Sequence, residues 1–216
     1  KLAHEIKNPL TPIQLSIDSL REKYKDKLLN ESQEFEKYLE TINRQIKDIE
    51  NLVNEFSNFA RMPRPILKKI DIYQVVNKSL DFIKMNSKSS INLTNKTKKI
   101  FINGDEDQLN RVFINLIKNS EESFLDRIKK EPNFKGNIDI EIYDNNDYID
   151  ILLTDNGTGI TDKKKAMTPY FTTKKTGTGL GLPIVTKIVN EHSGNLSIKN
   201  NQNKIGTTVK ITLPKN

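Results

Sequence analysis

The sequence predicts an α+β fold in which a helical hairpin is followed by an α/β sandwich. Between residues 33 and 60 apolar residues recur every seven positions, which is the pattern of a helix in a coiled coil or bundle. From residue 67 onward, segments with helical periodicity are interspersed with short alternating runs typical of strands. The segment Met62 to Pro65, with two prolines, separates these patterns and indicates a domain boundary.

The helical hairpin is predicted for residues 1–62. An apolar stripe from Leu2 to Tyr24 predicts the first helix, which Pro9 and Pro12 should bend because each removes a backbone donor. The polar residues 25–32 are the expected connection. The second helix carries two series of apolar residues, which are Phe35, Ile42, Ile49 and Phe56, and Leu39, Ile46, Val53 and Ala60. Two antiparallel helices cannot bury both series, so we expect a homodimer through residues 1–62 that forms a four-helix bundle.

Residues 63–66 are the predicted linker, and residues 67–216 are a predicted second domain. The expected helices are Ile72–Met85, Glu106–Arg127 and Gly181–His192. The expected strands are Ile91–Thr94, Ile138–Tyr143, Tyr148–Thr154, Leu196–Asn200 and Thr207–Leu213. Helices mixed with largely antiparallel strands predict one helical layer over a sheet.

The composition excludes several classes of protein. The chain has no cysteine, so disulfides and thiolate metal sites are excluded. The net charge is +7, but the basic residues are spread along a chain rich in Lys, Asn and Ile, so we expect no nucleic-acid partner. No run of 18 apolar residues occurs, and this segment is therefore expected to make no membrane contact. The chain begins with Lys1 and not with Met, which predicts a piece of a longer protein, and no signal peptide is recognised at its start.

Two motifs of the second domain have residue types that suit a nucleotide site. Asn115 and Asn119 lie four residues apart on a predicted helix, so they share a face, and amide oxygens suit Mg²⁺ held mainly by phosphates. Asp155 follows an apolar strand, where its carboxylate can accept a hydrogen bond from an exocyclic amine. Gly157 and Gly159 let the backbone approach a flat ring. Taken alone, the asparagines also fit an Asn-rich surface, and Asp-Asn-Gly also fits a tight turn.

A third motif, Gly177 to Leu182, alternates glycine with Thr or Leu before a predicted helix. Such a loop presents backbone N–H groups and a helix N-terminus to phosphate. It is neither the GxGxxG dinucleotide fingerprint nor a P-loop, and a lone glycine run is weak evidence. The three motifs in this order together predict a nucleotide pocket.

His4 is the candidate phosphate acceptor. Its His-Glu sequence suggests a zinc protease, but the second histidine that such a motif needs is replaced by Asn8, which excludes zinc proteolysis. A neutral imidazole is a good nucleophile when its other nitrogen donates to a carboxylate, and Glu5 is adjacent. Asn8 lies one turn further along and can orient a water. An exposed histidine on a charged helix is the alternative for this segment alone. His192, just before Gly194, is expected to cap a helix C-terminus.

Together these motifs resemble those of the sensor histidine kinases. Residues 66–216 are similar to the family's ATP-binding domain, whose fold is shared with gyrase, the Hsp90 chaperone and mismatch-repair ATPases. Asn115–Ser120 matches the N box, Asp155–Ile160 the G1 box, and Gly177–Leu182 the G2 box. Residues 168–174 (TPYFTTK) match the F box with the start of the ATP lid, and residues 4–9 (HEIKNP) match the H box.

The resemblance implies a role for each matching residue. Asn119 would be the Mg²⁺ ligand, Asp155 would contact the adenine amine, and Gly157 and Gly159 would shape the base pocket. Asn115 is a further expected contact of ATP. The lid residues expected at the nucleotide are Phe171, Lys174, Gly177, Gly179, Leu180 and Gly181.

In the H box, the resemblance implies that His4 is phosphorylated, with Glu5 as its base and Asn8 positioned for dephosphorylation of the partner. That partner would be the receiver domain of a response regulator. Residues 4–16 (HEIKNPLTPIQLS) and 169–182 (PYFTTKKTGTGLGL) are most similar to the nitrogen-regulation kinases, the NtrY type before the NtrB type. The resemblance implies a cytoplasmic catalytic core in two-component signal transduction. A preceding region would anchor the longer protein in the bacterial inner membrane.

One position bears on the choice between transfer and hydrolysis. The hydrolysing members of this fold carry a Glu, as general base for water, four residues before the Mg²⁺-binding Asn. This chain has Asn115 there, which cannot take a proton at neutral pH. The sequence therefore favours phosphoryl transfer. A hydrolytic ATPase and a non-catalytic dimeric module remain the alternatives, although Asn119, Asp155 and the lid glycines are all present.

Overall fold

The computed structural model describes residues 2–24, 32–84, 87, 89–95, 99–172, 174, 177–201 and 205–215, without the side chains of residues 2–8 and 32. The chain forms two compact units. The first unit contains helix α1 (Leu2–Tyr24) and helix α2 (Ser32–Ala60), and residues 174, 177 and 178 belong to it. The second unit contains the other helices and the strands. Among the described helices, none is long and apolar enough to cross a membrane.

The two helices of the first unit pack through one of the two apolar series. Their buried cluster consists of Leu10 and Ile17 from α1 and Leu39 and Ile46 from α2, with Phe35 against it. The other series is more open, since Ile42 is 44% exposed and Ile49 is 43% exposed. Helix α1 is continuous through Pro9 and Pro12. A single hairpin therefore leaves an apolar stripe on α2 uncovered.

The second unit is a mixed sheet with helices. Its elements are β1 (Lys68–Asp71), α3 (Ile72–Lys84), β2 (Ser90–Asn95), β3 (Phe101–Gly104), α4 (Glu106–Ile128), β4 (Asn137–Asn145), β5 (Tyr148–Asp155), α5 (Lys163–Ala166), α6 (Gly181–Glu191), β6 (Asn195–Asn200) and β7 (Thr207–Pro214). The main sheet has the order β2-β4-β5-β7-β6, in which only the β2–β4 pair is parallel. Strands β1 and β3 form a separate antiparallel pair that was not predicted. The predicted fold class, a helical hairpin followed by an α/β unit, is confirmed.

The core of the second unit lies on one face of this sheet. Along β5, Ile149, Ile151 and Leu153 are buried, and so are their partners on β7 and the β4 partners of Ile151 and Leu153. Helices α3, α4 and α6 each bury an apolar face, and α4 lies between the other two. The end of β5 lies against α4, since the Ser120 hydroxyl of α4 is 3.2 Å from Oδ2 of Asp155, the last residue of β5.

The N-terminus of α4 is held by a partly buried polar cluster around Asp105. Asp105 is the N-cap, and its Oδ1 accepts from the Gln108 N–H at 3.1 Å, while its Oδ2 accepts from the Ile66 N–H at 2.8 Å. The ring of His192 is buried, and its Nε2 accepts from the Asp105 N–H at 2.9 Å. The neutral ring therefore carries its proton on Nδ1, which donates to the Ile188 carbonyl at 2.8 Å. His192 is the C-cap residue of α6, as expected from the sequence.

Burial acts to raise the pKa of Asp105, but the backbone N–H groups of Ile66 and Gln108 act against it, and the net pKa lies below its ordinary value. A carboxylate whose pKa is lowered by folding contributes fully to stability when the pH is above its pKa in the unfolded chain. The stabilisation is lost as the pH falls through the lower, folded pKa.

We expect Asp105→Ala to destabilise the start of α4 by about 1–2 kcal/mol at neutral pH, because it removes an N-cap and the acceptor for Ile66. Hydrogen exchange of the Ile66 and Gln108 amides should accelerate by about 5- to 30-fold. Asp162→Ala is the matched control, since Asp162 caps only the four-residue α5. It should leave these two amides unchanged. Equal protection in the Asp105 variant and the wild type would contradict this account.

Candidate functional site

Asp155, the last residue of β5, is buried with 6% of its surface exposed. Its Oδ1 accepts from the backbone N–H groups of Gly157 at 2.9 Å and Thr207 at 3.1 Å. Its Oδ2 lies 3.2 Å from the Ser120 hydroxyl on α4. These donors come from the turn after β5, the start of β7 and α4. A buried carboxylate needs such donors, and they hold the side chain in one orientation.

The turn after Asp155 approaches α4 more closely than a side chain would allow. A Cβ on Gly157 would lie 1.8 Å from the Ser123 Oγ. Gly159 has a φ of 79°, in the left-handed region that glycine adopts without strain. Gly206, just before β7, has a φ of 138°, and its Cβ would lie 2.1 Å from the Asp155 carbonyl oxygen. A side chain at Gly206 would therefore overlap the main chain of Asp155, and a side chain at Gly157 would overlap the side chain of Ser123.

Two asparagines at the end of β6 hold the same turn. The Asn200 amide accepts from the Ile160 N–H at 3.0 Å and donates to the Ile160 carbonyl at 2.8 Å. The Asn201 Nδ2 donates to the Asp155 carbonyl at 3.1 Å, and its Oδ1 accepts from the Thr208 hydroxyl at 2.6 Å. The main chain from Asp155 to Ile160 is thus tied to β6 at both ends.

Asn115 and Asn119 lie on α4 and face the first turn of α6. A Cβ on Gly181 would lie 3.5 Å from Asn115 Oδ1 and 3.6 Å from Asn119 Nδ2. The structure therefore brings together three of the predicted site residues. The Asn115 Nδ2 donates to the Arg111 carbonyl at 2.8 Å, so the Asn115 Oδ1 is the side-chain atom that points away from Arg111.

The Asn119 side chain has an unmet polar group. Its Nδ2 is buried and has no hydrogen-bond partner among the described residues. Buried polar groups in folded proteins are nearly always satisfied, and an exception is explained by strain, water, an ion or a ligand. An Asn side chain can be turned by about 180° so that its oxygen and nitrogen exchange places. The amide nitrogen would bind a phosphate oxygen, and the amide oxygen would bind a hard cation, so the site suits either ligand.

The two ends of the predicted lid meet at Gly179. The Tyr170 N–H donates to the Gly179 carbonyl at 3.1 Å. A Cβ on Gly179 would lie 2.6–2.8 Å from the backbone of Tyr170 and Phe171, and its φ of 70° favours glycine. Phe171 itself is half-buried. Leu180 is fully buried as the N-cap residue of α6.

The remaining predicted residues are not placed in this arrangement. Lys174 and Gly177 are described but belong to the first unit. The positions of His4, Glu5 and Asn8 lie on α1, and their side chains lie outside the described residues. Their roles stay predictions.

Sequence reasoning missed residues that act through tertiary contacts, namely Ser120, Gly206, Thr207, Asn200 and Asn201. Of these residues, Ser120 alone belongs to a matched motif, the N box, and the sequence predicted no role for it. The Gly206-Thr207 pair before the last strand was the available signal, since a glycine entering a strand indicates a close backbone approach.

Comparison with known proteins identifies both units. Residues 104–216 match the family described as "Histidine kinase-, DNA gyrase B-, and HSP90-like ATPase". Residues 1–65 match the "His Kinase A (phospho-acceptor) domain".

Curated relatives cover nearly the whole chain. An NtrY-like sensor histidine kinase of Rickettsia conorii is 39% identical over 94% of this chain and 33% of its own length. The nitrogen regulation protein NtrY of Azorhizobium caulinodans is 31% identical over 99% of this chain and 28% of its own length. The chain thus spans about a third of the length of these relatives.

Among solved structures, histidine kinase ThkA in complex with the response regulator protein TrrA resembles the whole chain, with a TM-score of 0.69. It is 22% identical and covers 100% of this chain and 60% of its own, which shows a shared fold.

We expect Gly157→Ala to weaken ATP binding by at least about 10-fold, because its Cβ overlaps the Ser123 Oγ and must displace the turn. Adding Ser123→Gly removes the overlapping atom, and the double variant should bind ATP within about threefold of Ser123→Gly alone. Gly206→Ala should not be rescued in this way, because it overlaps the backbone of Asp155. Isothermal titration with ATP measures each affinity. A Gly157→Ala variant with wild-type affinity would show that the turn is not constrained by α4.

Proposed function

Because the chain belongs to the family of histidine kinase-, DNA gyrase B- and HSP90-like ATPases, we propose that it binds ATP in its second unit and transfers the γ-phosphoryl group to His4. The observation that carries this proposal is the meeting of Asn115, Asn119 and Gly181 around a buried amide without a partner. The match of residues 1–65 to a phospho-acceptor domain supports His4 as the acceptor.

The two ends of ATP would be recognised by different elements. Asp155 accepts a hydrogen bond from the adenine amine, and Gly157 and Gly159 admit the flat base beside the main chain. The phosphates lie toward the start of α6, where Gly179 and Gly181 expose backbone N–H groups at a helix N-terminus. An 11-residue helix with its N-terminus at this point stabilises negative charge.

Asn119 is the residue that would hold Mg²⁺, through its amide oxygen, and the ion would supply positive charge beside the phosphates. The buried position of the Asn119 Nδ2, which has no partner among the described residues, fits this role when the amide is turned so that its oxygen lies there. In the lid, Lys174 and the backbone of Gly177 and Leu180 are proposed phosphate contacts, and Phe171 anchors the start of the lid.

Transfer is favoured over hydrolysis by the chemistry of Asn115. Its amide cannot accept a proton from water, and its nitrogen already donates to the Arg111 carbonyl. A pocket that holds ATP without a general base for water leaves the γ-phosphoryl group to an external nucleophile.

The side chains of the H box supply the nucleophile and the base that the transfer step needs. The Nε2 of His4 attacks the γ-phosphorus, the bond to the bridging oxygen breaks, and ADP leaves with the electron pair. The Nδ1 proton of His4 passes to the Glu5 carboxylate. The phosphoryl group then moves to an Asp carboxylate of a response regulator, and Asn8 orients water for its later hydrolysis.

The first unit is proposed to form a homodimer. Ile42 and Ile49 belong to a series that the hairpin leaves exposed, together with Ile13 and Leu20 on α1. Packing this stripe against a second copy completes a four-helix bundle through residues 1–62. We place the chain in the cytoplasm, where ATP and the regulator are found, as part of a nitrogen-regulation type kinase anchored in the bacterial inner membrane.

The proposal is tested by incubating the chain with Mg²⁺ and ATP labelled in its γ-phosphate. We expect label on the protein that is acid-labile and alkali-stable, as a phosphohistidine is. His4→Ala should lose the label and keep ATP affinity within about twofold, because it removes the nucleophile alone. Asn119→Ala should lose both label and Mg²⁺-dependent ATP binding.

Each result has a definite meaning. Label that persists in His4→Ala would exclude His4 as the acceptor. Phosphate release from ATP without protein label would indicate a hydrolytic ATPase instead. Unchanged Mg²⁺-dependent affinity in Asn119→Ala would remove Asn119 from the site.

A further inference from the structure

Ser120 lies directly behind the carboxylate that the proposed function assigns to the adenine amine. It is the residue after Asn119 on α4, and only 3% of its surface is exposed. Its hydroxyl lies 3.2 Å from Asp155 Oδ2, and Asp155 is buried as well. A hydrogen bond to a charged group that is shielded from water is stronger than one on the surface.

The donors divide between the two carboxylate oxygens. Oδ1 receives the backbone N–H groups of Gly157 and Thr207, whose positions are set by the main chain. Oδ2 receives the side-chain hydroxyl of Ser120. Two backbone donors thus hold one oxygen of Asp155, and the Ser120 hydroxyl is a side-chain donor that holds the other.

The Ser120 hydroxyl has a second possible acceptor, the Leu116 carbonyl, which is also 3.2 Å away. One hydrogen cannot make two full bonds. The carboxylate is the charged acceptor, whereas the Leu116 carbonyl is a neutral group within α4, so the hydrogen is directed to Asp155.

We propose that Ser120 is a positioning residue for base recognition, which holds Asp155 Oδ2 where the exocyclic amine of adenine meets it. This inference rests on the proposed function. It also means that neighbouring residues of α4 serve both ends of the nucleotide, Asn119 at the phosphates and Ser120 through Asp155 at the base.

The test compares ATP with purine riboside 5′-triphosphate, which has the same phosphates and lacks the amine. Ser120→Ala should weaken ATP binding by about 5- to 10-fold, because the carboxylate is no longer held toward the amine. The amine-free nucleotide makes no hydrogen bond to Asp155, so its affinity should change by less than about twofold. The wild-type preference for ATP should therefore fall in this variant.

Ser123→Ala is the matched control. Ser123 lies one turn further along α4 and donates to the Ser120 carbonyl at 2.7 Å, with no bond to Asp155. Its loss should leave both affinities within about twofold of the wild type. Ser120→Cys, with a thiol of similar size that is a weak donor, should give an intermediate preference. Thermal unfolding of each variant checks that it is folded.

The outcomes separate the inference from the proposed function. An equal loss of both nucleotides in Ser120→Ala would indicate a purely structural residue and would overturn the inference. An ATP preference in Ser120→Ala equal to that of the wild type would overturn it too. A wild type that binds neither nucleotide, or that shows no preference for the amine, would overturn the proposed base recognition and this inference with it.

Discussion

The buried carboxylate of Asp155 is the constraint on which the arrangement of the site depends. Burying a charge is costly unless hydrogen bonds replace its water, and these donors must be placed with accuracy. Here they come from the turn after β5, from the start of β7 and from α4. Because all three must be in position at once, the requirement of one side chain sets the distances among three elements. Gly206 is consistent with this constraint, since a side chain there would overlap the main chain of Asp155, and a side chain at Gly157 would overlap that of Ser123 on α4.

Helix α4 extends this constraint from the proposed base end of the site to the proposed phosphate end. Ser120 contacts Asp155, while Asn115 and Asn119 face Gly181 at the start of α6. The helix is rigid over these two turns, so the separation between the base and phosphate ends is fixed by its geometry. Its N-terminus is held at Asp105, which also binds the linker residue Ile66 and the α6 residue His192. The central helix therefore contacts both the Asp155 carboxylate and the start of α6 within the second unit.

The sequence predicted the fold well where patterns are long and local. The heptad series of the second helix, the helix that begins at Glu106 and the strand that ends near Asp155 all appear in the structure. The pair β1 and β3 was missed because each strand has four residues and too little alternation to stand out. In the site, Asn119, Asp155 and Gly181 were predicted from motifs. Residues such as Thr207 and Asn201 were not, because they act through the main chain of distant segments, which leaves no periodic signal.

The central claim is that the Asp155 carboxylate selects the base, and Asp155→Asn tests it most directly. The amide oxygen must take the Oδ1 position, because the Gly157 and Thr207 N–H groups point there, so the amide nitrogen takes the Oδ2 position. A donor then faces the adenine amine. In isothermal titration with Mg²⁺, the account predicts ATP binding at least about 100-fold weaker, while inosine triphosphate, whose carbonyl then meets a donor and no longer a carboxylate, binds more tightly than it does to the wild type. A folded variant that binds ATP as tightly as the wild type would contradict the account.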